Sequence, residues 1–290
     1  MIALIFSIAF STYLVLLFKL FKRLNIDSVQ AIVVNYMTCV ATGLMVSGKA
    51  PSMQFTHESW FPYTLFLGLC FFAVFNMMAY MAANIGVTLT SVASKLSMVI
   101  PVTAAVFLYD QQLTAVKIAG LVLAIAAVYL TSVTKEKNEK GIHVRGLFLA
   151  LVIFILSGLN DSVVNYAAER FLRADEFDIF NIFIFSSAAI TGLLTLLFRR
   201  LIFAKKIQWK AIAGGIALGI PNYFSLLFLL KALTIPGWES SVIFPINNMG
   251  ILLLTAAGGV LLFREKLSII NWAGIITGLA AIGLMIGGVA

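Results

Sequence analysis

Long apolar runs separated by short clusters of charged and turn residues are the dominant pattern of this chain. A bilayer core ~30 Å thick needs ~20 apolar residues per helix. Cutting at the charge clusters and turn residues leaves runs near 2–18, 30–47, 61–83, 90–108, 114–133, 146–168, 178–198, 211–232, 240–262 and 268–288. The pattern predicts an all-α integral membrane protein with ten transmembrane helices. The longest connecting segments fall near 46–60, 134–144 and 199–210, and none could house a separate soluble domain.

The charge-rich stretch TKEKNEKGIHVRG divides the chain into two sets of five runs, giving a first repeat over 1–133, a charged loop over 134–145 and a second repeat over 146–290. At an offset of 154, LTAVKIAGLVLAIAAVYL aligns with LSIINWAGIITGLAAIGL. Six of 18 positions are identical there, among them Gly120 with Gly274 and Ala127 with Ala281. The fourth run of each half carries a proline, Pro101 and Pro245. The third carries an asparagine followed by aromatic or sulfur residues, in FNMMAY and PNYFS. An odd number of spans per half forces the halves into opposite orientations. Inverted repeats with a ligand site between them are an architecture of many secondary transporters.

Two five-helix halves in about 290 residues, with FREKLS leading into a Gly-rich last run, resemble the drug/metabolite transporter superfamily of the EamA type. That family ends the fourth helix of each half with a Gly-Glu-Arg-Leu-like turn. Here the second half keeps Arg264, Glu265, Lys266 and Leu267 but has Phe263 in place of glycine, and the first half has only YDQQLT. The resemblance implies a ten-helix carrier of small metabolites with both termini in the cytoplasm, and leaves the substrate open.

The chain is 61% hydrophobic and 11% charged, whereas a soluble domain carries about 25% charged residues. The net charge of +8 does not point to nucleic acid, because the basic residues sit in clusters between apolar runs. Numbering each loop after the helix it follows, odd loops hold fourteen of the twenty Lys and Arg, even loops and their margins five, and Lys95 lies within a span. The positive-inside rule then makes odd loops cytoplasmic and puts both termini on the other side, the reverse of what the resemblance implies. The first run has its positive charges after it, an order that fits a retained helix better than a cleaved signal. A bacterial-type plasma (inner) membrane is the expected location. Cys39 and Cys70 fall within apolar runs and read as small core hydrophobes.

The candidate chemistry is polar groups that lipid should exclude. An ionised lysine at mid-span costs ~2.5–3.5 kcal/mol, and Lys95 lies about a third of the way along its run. It either snorkels to headgroups or lines a cavity and faces a carboxylate. Ser157, Asp161, Asn165 and Glu169 recur every four residues as one stripe on the sixth helix, and Asn76, Tyr80 and Asn84 form a shorter stripe on the third. Asn222 and Tyr223 follow Pro221, and Asn247 and Asn248 follow Pro245. Pro101 and Pro245 withdraw a donor from the carbonyls of Ser97 and Ser241, which in lipid must be satisfied by protein or by a water-filled cavity. Lys95, Asp161, Asn165, Asn76, Tyr80, Asn222, Tyr223, Asn247 and Asn248 are therefore the expected substrate-binding residues, with Pro101 and Pro245 shaping the cavity.

One cation, one anion and several amides suit a small zwitterion such as an amino acid, moved by alternating access, with Asp161 either countering Lys95 or carrying a coupled proton. The chain has no GxxxxGK[ST] nucleotide loop. His57 and His143 are far apart and lack an HExxH or paired-Asp context, so neither an enzyme nor a metal or other cofactor is expected. A non-transporting receptor or scaffold is the alternative. Glycine pairs at GxxxG spacing, Gly215/Gly219, Gly274/Gly278 and Gly283/Gly287, allow close helix approach. For the last helix that contact is intramolecular or a dimer seam, which leaves a monomer as plausible as an oligomer.

Overall fold

The computed structural model describes residues 1–48, 52–84, 94–109, 114–132, 144–203, 206–263 and 268–287, and all regular structure among them is helical. The α-helices are α1 (Ile2–Arg23), α2 (Ser28–Ser47), α3 (Phe61–Asn84), α4 (Val99–Tyr109), α5 (Ala115–Ser132), α6 (Val144–Arg170), α7 (Phe177–Phe203), α8 (Trp209–Leu233), α9 (Ser240–Phe263) and α10 (Ile269–Gly287). Among the described residues six segments are long and apolar enough to cross a membrane: Ser28–Ser47, Phe61–Met81, Phe148–Arg170, Ala174–Leu201, Trp209–Leu233 and Ser240–Leu262. Apolar helix over shorter described stretches occurs at Ile2–Phe18, Ser94–Tyr109, Ala115–Ala127 and Ile269–Leu284. Large apolar side chains such as Phe107, Leu261 and Ile276 are exposed on the outside of these helices, as lipid contact requires. The turn at 264–267, most of the charged loop over 134–145 and Ser91 lie outside the described residues.

The chain forms two compact units. One comprises 1–79 and 163–232, the other 80–162 and 233–290, so the division passes through α3 and α6. Neither unit is a sequence half; each draws helices from both.

In the first unit α2 packs on α7. α2 starts cleanly because the Asp27 carboxylate accepts from the backbone N–H groups of Val29 (3.0 Å) and Gln30 (3.1 Å). It stops at Gly48, whose φ of 62° a side chain would resist and whose N–H donates to the Leu44 carbonyl. α8 crosses α2 at the predicted small-residue pair. A Cβ on Gly215 would lie 2.6 Å from the Ala31 carbonyl oxygen, and one on Gly219 2.6 Å from that of Asn35. Leu14, Phe21, Ala31, Ala211 and Leu218 form one core cluster of this unit.

In the second unit α5 packs on α10 and α4 on α9. Met98, Ala124, Ala127, Met249, Leu252 and Ala281 form its core. A Cβ on Gly278 would touch Ala127 and Leu253, whereas one on Gly283 would meet nothing within 4 Å among the described residues.

Contacts between loop ends respect parity in both units. In the first, the odd loops 1 and 7 are laced together. Gln208 Oε1 accepts from the Asp27 N–H (2.7 Å), and Gln30 Nε2 donates to the Lys206 carbonyl (2.8 Å). The even loops 2 and 6 meet at the other end through Trp60 against Phe180 and Tyr63 against Phe171. In the second unit, Asn271 at the start of α10 donates to the Leu130 carbonyl near the end of α5. Lys117 near the start of α5 pairs with Glu239 just before α9.

Candidate functional site

In the second unit, helical residues 94–96 carry Lys95. Turn residues Ser97 and Met98 follow, and α4 begins at Val99. Pro101 therefore stands in the first turn of a helix, where its missing N–H is no loss, and it does not kink a continuous one. The Ser97 carbonyl that Pro101 cannot serve accepts instead from the Ile100 N–H at 3.0 Å, and Ser97 Oγ donates to the Ser94 carbonyl at 2.6 Å. The backbone break is thus satisfied locally, and it sets Lys95 just ahead of α4.

The Lys95 ammonium is partly buried and donates to Asn248 Oδ1 on α9 at 3.3 Å. Asn248 belongs to a stretch, 240–249, buried on every side and including Pro245, Asn247 and Asn248. Pro245 lies inside α9. Asp161 on α6 is partly buried and within Coulombic range of Lys95. Among the described residues no ion pair joins them, and Asp161 makes no hydrogen bond. The arrangement is two opposite charges held apart, with one amide steadying the cation. Tyr80, also in this unit, is 51% exposed.

Asn76, Asn165, Asn222 and Tyr223 belong to the first unit. Asn76 donates to the Phe72 carbonyl of its own helix at 2.7 Å. Asn165 is buried on α6. Asn222, just after the interior Pro221 of α8, donates to Asn35 Oδ1 on α2 at 3.1 Å. The Tyr223 hydroxyl donates to the Asp178 carboxylate in the first turn of α7. The fourth position of the sixth-helix stripe, Glu169, is exposed at the helix end.

Sequence reasoning missed Asn35, Asp178, Asn181 and the Lys117–Glu239 pair. Asn35 and Asn181 are buried polar residues in apolar runs, a signal that was there to read. Among the described residues, neither amide atom of Asn181 finds a partner. Asp178 and Glu239 stand at the ends of spans, where a charge reads as part of a loop. The Lys117 ammonium is 2.5 Å from the Glu239 carboxylate, and that carboxylate also accepts from Ser241 Oγ at 3.0 Å.

Fold and composition together define a helical membrane protein. No family model matches the chain. An uncharacterized protein of Haemophilus influenzae is 28% identical over 286 residues, which span 96% of this chain and 95% of that one. A protein known from a crystal structure shares the fold with a TM-score of 0.74 at 12% identity, over 98% of this chain and 94% of the other.

Proposed function

We propose that this chain is a secondary transporter of the drug/metabolite type that moves a small zwitterionic metabolite by alternating access. The observation that carries the reading is Lys95 with Asp161: opposite charges in one unit, near enough to feel each other and not paired. Closed on each other, they would be a structural ion pair. Held apart, they match the carboxylate and ammonium ends of a zwitterion, and each pays part of its desolvation cost only when the ligand is bound.

The helix pairing supports the carrier architecture. α2 lies on α7, α4 on α9 and α5 on α10, each pair being equivalent helices of the two five-helix halves. Where the ends can be followed, the partners run antiparallel, since Asp27 at the start of α2 reaches Arg199 near the end of α7, and Leu130 near the end of α5 reaches Asn271 at the start of α10. Inverted repeats require that relation. The alternative, a non-transporting receptor, does not call for separated charges within the membrane.

Counterflow into proteoliposomes loaded with a panel of amino acids, other zwitterions, simple carboxylates and amines tests the reading. Zwitterions should exchange faster than their singly charged analogues. Exchange of none of the panel would defeat it.

A further inference from the structure

We propose that the first unit binds one anionic phospholipid in a groove between α1 and α8, an acyl chain lying in the groove and the phosphate meeting Lys210. The groove holds about 370 Å³ and is lined by Leu17 and Leu20 of α1, by Leu24 just after it, and by Lys210, Ala213 and Ala217 of α8. Its floor is open because residue 214 is glycine; a Cβ there would come 2.9 Å from the Phe21 ring. From Lys210 to Ala217, and from Leu24 to Leu17, each wall descends about 10 Å at 1.5 Å per residue. That is deep enough for the upper part of one acyl chain.

Lys210 is the one polar side chain among the described lining residues, and it sits at the mouth. Next to it Trp209 is 80% exposed, in the position of an interfacial aromatic that marks headgroup level. The surrounding loop ends are basic. Arg200, Lys206 and Lys210 are exposed. The acidic residue of these two loops, Asp27, is already held by both guanidinium nitrogens of Arg199, each at 3.4 Å. The mouth therefore offers the Lys210 ammonium above an apolar slot, which is the complement of an anionic lipid and not of a zwitterionic one. The loop 1–loop 7 hydrogen bonds through Gln208 and Gln30 fix the two walls at this end, so the groove is preformed.

The test is native mass spectrometry of the full chain in detergent, titrated with phosphatidylglycerol or with phosphatidylcholine of the same acyl chains. The wild type should retain a single phosphatidylglycerol in preference to phosphatidylcholine. Lys210→Gln should weaken phosphatidylglycerol retention about five-fold, the worth of one basic side chain at the surface, and leave phosphatidylcholine unchanged. Ala213→Phe, at an exposed position, should fill the slot and reduce both. Lys231→Gln, at the other end of α8, should change neither, and all three variants should melt like the parent in lipid-free detergent. Equal retention of the two lipids by the wild type would overturn the proposal. So would an intact preference in Lys210→Gln, full retention in Ala213→Phe, or an equal loss in Lys231→Gln.

Discussion

Two lysines show how differently one residue type is used within the second unit. Lys117 has its ammonium against the Glu239 carboxylate, and Lys95 is held by the neutral Asn248 with Asp161 beyond ion-pair distance. The first arrangement is a fastening, the second leaves charge available. Lys95→Met and Asp161→Asn should each lower transport more than tenfold at equal expression, because each leaves a lone charge in a low-dielectric setting. The double variant should not be worse than the single ones, and the cycle reads the coupling directly. Strictly additive losses would show that the two charges act separately. For the fastening the readout is stability. Lys117→Met should lower the melting temperature by the equivalent of about 1 kcal/mol, the pair being half open to solvent on the Glu239 side. Adding Glu239→Gln should cost little more. Lys95 and Asp161 were legible as candidates because an ionised residue in an apolar run is expensive wherever it points. Lys117 and Glu239 were not, because charges at the ends of runs look like ordinary loop charges until a fold brings two such ends together.

At the level of elements, glycine and proline carry the detail. The Gly215/Gly219 spacing was readable as a close-approach signal, and α8 does cross α2 there, with Cys39 Sγ donating to the Gly219 carbonyl at 3.2 Å. The last pair was equally readable, yet a Cβ on Gly283 would meet nothing within 4 Å among the described residues. A spacing rule reports the capacity for contact and says nothing of which helix is on the other side. Gly219→Ala should therefore destabilise by about 1–3 kcal/mol, the usual cost of overpacking, whereas Gly283→Ala should be neutral or slightly stabilising in a melting assay on purified protein. Similar shifts for both would mean that α8 does not press against α2 at Gly219. Prolines follow the same logic. Pro101 and Pro245 read alike in sequence, but Pro101 opens α4 after a break while Pro245 and Pro221 lie inside α9 and α8. The sequence could locate the lost donor and not the helix start, since the start depends on the Ser97 carbonyl finding the Ile100 N–H. Pro101→Ala should then change stability little, because the N–H it restores lies in a first turn that has no intrahelical use for it.

Across the whole molecule, the alternation of apolar runs and charge clusters was enough to place most of the described helices to within about five residues, whereas α4 starts at Val99, nine residues into the run expected at 90–108. What it could not reveal was that the compact units would take helices from both halves, because α2 on α7 and α5 on α10 are contacts between segments far apart in the chain. Sidedness is where sequence and resemblance disagree, and the first unit makes the question testable with few positions. Loops 1 and 7 meet at one end through Asp27 and Gln208, and loops 2 and 6 at the other through Trp60, Phe180, Tyr63 and Phe171. Leu24 and Ile207 are exposed at the first end, Glu58 and Asp175 at the second. The native Cys39 and Cys70 are buried and can be left in place as a low background. Single cysteines at Leu24 and Ile207 should therefore behave alike toward a membrane-impermeant thiol reagent, and opposite to cysteines at Glu58 and Asp175. The fourteen basic residues of the odd loops decide which pair is protected. By the positive-inside rule, Leu24→Cys and Ile207→Cys are cytoplasmic and should label only after the membrane is opened, while Glu58→Cys and Asp175→Cys should label in intact cells. The converse pattern would reverse the orientation and keep the fold, in line with the family resemblance. Labelling of Leu24→Cys and Ile207→Cys from different sides would break the two-ended unit itself, since one hydrogen-bonded loop pair cannot lie on both faces of a bilayer.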